Sequence, residues 1–469
     1  MRKIGVLVLC IILLLLTISC SNNSNDITTE AGSKDEKQEI TILITGYDFL
    51  DMEYDCCAIR GYTERFEIET GVRVNFDVIN GNKSDDYDKK MNAKLYLEEG
   101  PTLIYISGDS SYKNYIEQGI AVNTEGKIPN LIRIYDSLLD DGHYFVPVGM
   151  SHYPVQLNRC AFDKLEIDDP KLDWTREEYL KIKEKWLKIE PEYFSQYEYD
   201  ELFTFMIDDL EILDESNKGV SLNNSRVIQY INDVREEIFS GKYIINKDYT
   251  FKNYYNMIFE GGSKESKESK NLFRRYNNEN LRKKCWTNGL KSLEISKYIN
   301  AKDDIFLPNT IYEKNDLLRT YGFIVNKNGK NIDLGMEFLN GLLSDEIQLE
   351  MFKSKWGDLY PVNKEIENEI ERIEKEINDK IVKEKKEGVK HYVRKDINKK
   401  AIALRKYILS QVKTGNYKHC SNSKIINEVK KMIHKDFAKF IFADEPYTEE
   451  ELGRELQKLE NKYNMWLNE

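Results

Sequence analysis

The sequence predicts an α/β protein built as two lobes, and two observations predict it. Strand and helix patterns alternate between residues 40 and 107, which calls for a parallel sheet with right-handed crossovers. About 430 residues follow the N-terminal leader and tether, too many for one hydrophobic core.

The chain opens with Arg2 and Lys3, followed by an apolar run from Ile4 to Ile18. Those 15 residues span roughly 22 Å as a helix, short of the ~30 Å hydrocarbon layer of a bilayer. A positive start and a short apolar core are the parts of an export signal rather than of a permanent span. The run ends at Thr17-Ile18-Ser19-Cys20 and turns at once to SNNSNDITTEAGSKDEKQE (21–39). That stretch is polar, without apolar period, and is expected to be a flexible tether.

ITILIT (40–45) is β-branched and apolar, a first strand. CAIRGYTERFEIETG (57–71) is a helix stopped by Gly71. VRVNFDVI (72–79) alternates strictly, placing Val72, Val74, Phe76 and Val78 on one face. DDYDKKMNAKLYLEEGP (85–101) starts on acids and ends at Gly-Pro, a second helix. TLIYIS (102–107) is apolar nearly throughout, so this third strand is buried on both faces. Ligands of such sheets bind outside the carboxyl ends of the strands. Two loops are thereby nominated, Gly46-Tyr47-Asp48-Phe49 and Gly108-Asp109-Ser110-Ser111.

HYFVPVGMSHYPVQLNRCAF (143–162) holds two short extended runs, and Thr175 with Glu178 fits a capping box opening the next helix. Residues 200–260 are helical and amphipathic in pattern, and EGGSKESKESKN (260–271) is a polar low-complexity loop. YGFIVNKNGK (321–330) is a strand running into a turn, and residues 331–352 form one or two helices. From Lys364 the chain is almost entirely helical, with Ile366, Ile370, Ile373, Ile377 and Ile381 on one stripe. That stripe is expected to lie on the chain's own core.

Composition narrows the function. The formal charge is −12, and loss of Arg2 and Lys3 with the leader makes it two units more negative. Nucleic acid requires a basic surface, so it is not an expected partner. Five cysteines lie beyond Cys20, at 56, 57, 160, 285 and 420; an odd number cannot all pair, and no CxxC occurs. Buried or idle thiols are expected. No GxSxG, HExxH or P-loop sequence is present, and His143, His152, His391, His419 and His434 are scattered. Neither an enzyme, nor a metal site, nor a cofactor is expected.

The segments RFEIETGVRVNF, LEEGPTLIYISGD, DGHYFVPVGMSHYPVQLNRCAFDK, DWTREEYLKI, YGFIVNKNGKN, FLNGLLSDEIQLEMF and GDLYPVNK occur in this order between residues 40 and 364. In that order the chain resembles the family 1 extracellular solute-binding proteins of bacterial ABC importers, the maltose-binding-protein-like type. Thr102 stands where that family usually has Asp. The leucine-rich run ending in Ser19-Cys20 resembles the lipobox of bacterial lipoproteins, with Thr17 where Leu is usual.

The lipobox resemblance implies that residues 1–19 are a lipoprotein signal peptide and that Cys20 receives a diacylglycerol. The mature chain would then sit on the cell membrane, on its extracytoplasmic face, with 20–39 as the tether. The family resemblance implies a type II periplasmic-binding-protein fold, each lobe a mixed, mostly parallel sheet flanked by helices. Crossings are expected near 144–149, 323–326 and 361–364. Lobe one is then 40–147 and 325–360, and lobe two 148–324 and 361–469.

In this fold a solute, most simply a carbohydrate, lies between the lobes and is passed to ABC permease subunits. The same fold could instead serve a solute-sensing or partner-binding surface lipoprotein. Another cargo, an oligopeptide or a polyamine, is the other alternative. Sugar sites need aromatic faces and planar polar groups. The expected lining residues are Tyr47, Asp48 and Asp109 at the strand ends, Met150, Ser151 and Tyr153 after the first crossing, and Trp286 and Trp356. Trp174 and Trp186 are expected in a core.

Overall fold

Strand β1 (Glu39–Thr45) is covered on both faces: Ile40, Ile42 and Ile44 enter one apolar layer, whereas Leu43 enters the layer behind it. The same alternation runs through β3 (Leu103–Ile106), where Leu103 and Tyr105 face the first layer and Ile104 and Ile106 the second. The computed structural model describes residues 38–46, 48–49, 57–80, 85–108, 112–190, 210, 212–213, 219–239, 281–283, 288–291, 304–310, 318–354, 359–387, 399–417 and 424–467. The expected leader, tether, Cys20 and polar loop 260–271 lie outside the described residues, as does much of 200–260.

The first elements follow the expected order. Helix α1 (Cys57–Thr70) closes at Gly71, whose φ of +72° and N–H donated to Glu67 O (3.0 Å) make the left-handed stop. β2 (Arg73–Ile79) then pairs parallel with β1 along its whole length. Helix α2 (Asp85–Leu95) is shorter than its pattern, since the chain turns at 96–100 before β3. β3 pairs parallel with β1 on the other side. Thr102, fully buried at its start, donates to Lys330 O (2.6 Å) and accepts from Thr41 N (3.1 Å), anchoring the strand entry.

The sheet is completed by later chain. Beyond α3 (Lys113–Glu117), β4 (Phe145–Ser151) and β8 (Arg319–Val325) pair with each other, and β8 pairs with β3, all antiparallel. β9 (Tyr360–Pro361) adds an antiparallel edge to β4, so the order is β2-β1-β3-β8-β4-β9. Gly322 is what lets β8 lie so close: a Cβ there would stand 2.1 Å from Val146 O. The register slips between Pro147 and Gly149 opposite it.

A second sheet holds β5 (Val155–Leu157) between β6 (Arg282–Lys283) and β7 (Ile305–Leu307), antiparallel on both sides. Helices α4 (Arg159–Leu165) and α5 (Arg176–Ile189) cover it. Trp174 and Trp186 are core residues here, as expected, and Trp174 Nε1 donates to Pro308 O (2.8 Å). The capping box of Thr175 and Glu178 is formed.

Three expectations need correction. The sheets are mixed, but parallel pairing is confined to β1, β2 and β3; the returning strands pair antiparallel, as does the described second sheet. The crossing expected near 323–326 lies inside the large sheet. The chain returns between β7 and β8, because Arg319 and Thr320 extend the ladder with Ser151 and Met150 beyond the apolar run. The isoleucine stripe starts helix α9 (Glu367–Lys386), after α7 (Ile332–Leu342) and α8 (Asp345–Lys353). Ile366, Ile370 and Ile373 are buried in the large sheet's main core, together with Leu404 and Ile408 of α10 (Lys399–Lys413), rather than in a separate second-lobe core. Ile377 is already 37% exposed.

The remaining helices α6 (Ser225–Phe239), α11 (Lys424–Ile441) and α12 (Glu449–Leu467) share their own core around Val227, Ile231, Phe437 and Leu456. Among the described residues no helix is long and apolar enough to cross a membrane.

Two measurements check this packing. Gln348 on α8 is fully buried; its Nε2 donates to Val148 O and Leu342 O (both 3.0 Å), and its Oε1 accepts from Val362 N (2.9 Å) and Asn363 N (3.4 Å). Gln348→Leu strands these backbone groups, and urea unfolding should show a loss on the order of 3 kcal/mol or more. A loss below about 1 kcal/mol contradicts that role.

Burial also pushes the His434 imidazole on α11 down to about 4. With an unfolded value near ~6.5, its contribution is intact above that pH and is lost as pH falls toward 4. Across this window the unfolding free energy should decline by up to about 1.4 kcal/mol per pH unit from this residue. His434→Gln should flatten the decline, and identical slopes for variant and parent contradict the assignment.

Candidate functional site at the carboxyl ends of the large sheet

β1, β3 and β4 run in one direction and end on one rim of the large sheet. β8 runs against them and begins there. This brings Thr45, Gly46, Asp48 and Phe49, Ser107 to Gly108, Met150 to Tyr153 and Arg319 to Tyr321 to the same edge. It is also where the chain crosses to the second sheet, between Ser151 and Val155, and returns, between Leu307 and Arg319.

At the end of β1 the backbone is folded back on itself. Thr45 Oγ1 donates to Asp48 Oδ2 (2.7 Å), and Asp48 N donates to Thr45 Oγ1 (2.9 Å). Half-buried Phe49 packs on Phe76 with centroids 5.3 Å apart, and the Arg60 guanidinium lies 5.4 Å from the Phe76 ring. At the end of β3, Gly108 admits two side chains of β8. A Cβ there would meet Arg319 Cβ and Tyr321 Cζ, each at 2.8 Å. Beyond it, Tyr112 is stacked on Phe145 at 4.7 Å and fixes where this loop returns. The Arg319 guanidinium lies over the ring of half-buried Tyr153 at 5.1 Å.

Residues 288–291, from the chain between β6 and β7, close against this edge. His152 N donates to Asn288 Oδ1 (3.0 Å), and Gly289 N donates to His152 O (2.7 Å). Leu290 N also donates to Asn288 Oδ1 (3.0 Å). Lys291 Nζ donates to Met351 O (2.8 Å), tying the same loop to the end of α8.

Of the residues expected to line a site, Asp48 and Tyr153 stand on this rim and are half-buried. Ser151 is fully buried at the end of β4. Met150 is also fully buried, within the main core, and offers no surface in this conformation. Tyr47, Asp109, Trp286 and Trp356 lie outside the described residues. Gly46 and Asp48, either side of Tyr47, and Gly108, before Asp109, are on the rim.

Sequence reasoning missed Arg319, Tyr321 and Asn288. The expected strand begins at Tyr321, and Arg319 lies outside it. The Asn-Gly pair at 288–289 was a turn signal that went unused.

The rim therefore combines a carboxylate, a guanidinium and half-buried aromatic side chains. That chemistry stacks and hydrogen-bonds a polar, flat-faced solute. Among the described residues no three His, Cys, Asp or Glu side chains are placed to hold a metal ion. A groove of about 440 Å³ between Pro129 and α7 is lined by Lys127, Asp333, Met336, Glu337 and Asn340, none of them rim residues.

Two glycines separate rim geometry from general backbone effects. In Gly61, on α1, a Cβ would meet nothing within 4 Å. Gly61→Ala should stabilise by about 0.5–1 kcal/mol. Gly108→Ala should destabilise by about 1–3 kcal/mol, because Arg319 and Tyr321 must shift. Urea titrations giving the same sign for both contradict the tight contact at Gly108.

No protein-family model matches the sequence, and no curated protein matches it. Solved structures do match in fold. An ABC substrate-binding protein from Listeria monocytogenes, solved in complex with cycloalternan, has a TM-score of 0.54 at 14% identity, covering 92% of this chain and 100% of that one. A family 1 extracellular solute-binding protein from Alicyclobacillus acidocaldarius has 0.54 at 12% identity, covering 92% and 98%. A cyclic α-maltosyl-1,6-maltose binding protein from Arthrobacter globiformis has 0.53 at 14%, covering 91% and 98%. At these identities the likeness is one of fold, and the chain has the two-lobed α/β fold of the ABC substrate-binding proteins.

Proposed function

We propose that this chain is a solute-binding protein that captures a carbohydrate at the rim and delivers it to an ABC importer. The observation that carries this reading is the fold shared over nine-tenths of the chain with substrate-binding proteins, among them one solved in complex with cycloalternan and one named for binding cyclic α-maltosyl-1,6-maltose. The site supports it independently. Ligands of open α/β sheets lie outside the carboxyl ends of the strands, and there this chain gathers Tyr153, Arg319, Asp48 and Tyr321.

Capture requires no chemistry on the solute. A solute that contacts both sheets' surroundings at once gains affinity only in the conformation that offers both, and so shifts the protein toward it. A permease can respond to that conformation. The lipobox-like Ser19-Cys20 and the polar tether after it support a lipid anchor on the outer face of the membrane, which would hold the protein near its permease.

The test is thermal unfolding of the chain from residue 38 onward against mono- and oligosaccharides, peptides and polyamines. A ligand of the folded state stabilises by about 2.7 kcal/mol at a hundredfold excess over its Kd. We expect a carbohydrate to raise the melting temperature and Tyr153→Ala to remove most of that rise. A rise from a peptide or polyamine alone contradicts the carbohydrate assignment, and no rise from any class contradicts capture. For the anchor, the full chain expressed in bacteria should sediment with membranes and Cys20→Ser should release it. Equal sedimentation of both contradicts lipidation at Cys20.

A further inference from the structure

Asn288 is 3% exposed and lies in the chain between β6 and β7, yet its side chain serves a residue 136 positions earlier. Its Oδ1 accepts from both His152 N and Leu290 N, each at 3.0 Å. Gly289 N returns a bond to His152 O at 2.7 Å. The backbone of His152 is thus held on its N–H and its C=O by one Asn-Gly turn. A Cβ on Gly289 would come within 3.3 Å of His152 Cδ2, so the turn is pressed against this segment.

His152 follows the last residue of β4 and precedes Tyr153, whose ring carries the Arg319 guanidinium at 5.1 Å. The turn is itself tied to the end of α8 by Lys291 Nζ on Met351 O (2.8 Å). Asn288 therefore bridges the segment that leaves the large sheet and the loop that comes from the second one.

We propose that Asn288 is a positioning residue for solute capture: it clamps His152 so that the Tyr153 ring is held at the rim, and it couples the 288–291 loop to that ring. This rests on the capture reading and names the residue that organises the site. The clamp itself is made by an acceptor oxygen, because both bonds from Leu290 and His152 end on Oδ1. An aspartate supplies the same acceptor; an alanine does not.

The experiment has two readouts, on the chain from residue 38 onward and its Asn288→Ala and Asn288→Asp variants. Hydrogen exchange needs no solute. The amides of His152 and Leu290 should exchange about tenfold or more faster in Asn288→Ala, and near the parental rate in Asn288→Asp. Affinity is then read by titration with whichever carbohydrate stabilises the parent. It should weaken by about tenfold in Asn288→Ala and by less than about threefold in Asn288→Asp.

Unchanged exchange in Asn288→Ala overturns the clamp. Faster exchange with unchanged affinity overturns the positioning role and leaves a structural bond. If no carbohydrate binds the parent, the capture reading fails and the positioning role fails with it, while the exchange data still report whether the clamp exists. Should Asn288→Ala fold poorly, Asn288→Asp and Asn288→Leu carry the comparison, with Leu expected to behave as Ala.

Discussion

The placement of β8 between β3 and β4 is the constraint on which the rest of this molecule depends. A strand some 215 residues downstream of β3 in sequence completes its hydrogen bonding, and it does so antiparallel. Its Phe323 and Val325 fill the main core while Ile324 fills the layer behind, the same alternation as its neighbours. The close approach has one steric condition, the absence of a side chain at Gly322, beside Val146 O. Reversal of direction is what matters for function. It puts the first residues of β8, Arg319 to Tyr321, on the same rim as the last residues of β1, β3 and β4, so one rim collects side chains from four strands.

Buried polar groups join parts of the chain that are distant in sequence. Gln348 joins β4, the end of α7 and the 362–363 backbone through one side chain. Arg405 and Glu374, 3% and 6% exposed, pair through both guanidinium nitrogens between α10 and α9. Tyr135 donates to Glu367 (2.5 Å), and Lys413 binds the other oxygen of that carboxylate (2.6 Å). A buried ion pair adds little net stability over an apolar pair of the same shape, because desolvation offsets attraction; losing one partner costs about 3–5 kcal/mol. Such groups dictate which surface α9 and α10 pack on. That explains why these helices cover the main core rather than continuing outward as the isoleucine stripe alone would allow.

The elements between residues 39 and 106 were legible because local and tertiary signals agreed there. Gly71 stops a helix by backbone conformation, and β1, β2 and β3 carry the apolar pattern their burial demands. The strand-end rule points to Asp48 and Gly108, and both stand on the rim. Legibility fell where pairing, not composition, decides. Arg319 and Thr320 are strand residues only because Ser151 and Met150 lie opposite them. The antiparallel character of the returning strands has no local signature. Met150 follows the first crossing in sequence, but a side chain in a strand covered on both faces has no route to solvent. Asn288 carried a turn signal, whereas its role depends on a backbone 136 residues away.

The central claim is that solute is held at the carboxyl-end rim, by Tyr153, Arg319 and Asp48. The most direct measurement is a crystal structure of the chain from residue 38 onward with a stabilising carbohydrate bound. The account predicts density for the sugar against Tyr153 and within hydrogen-bond reach of Arg319 or Asp48. Density in the groove between Lys127 and Glu337, with the rim empty, would contradict it.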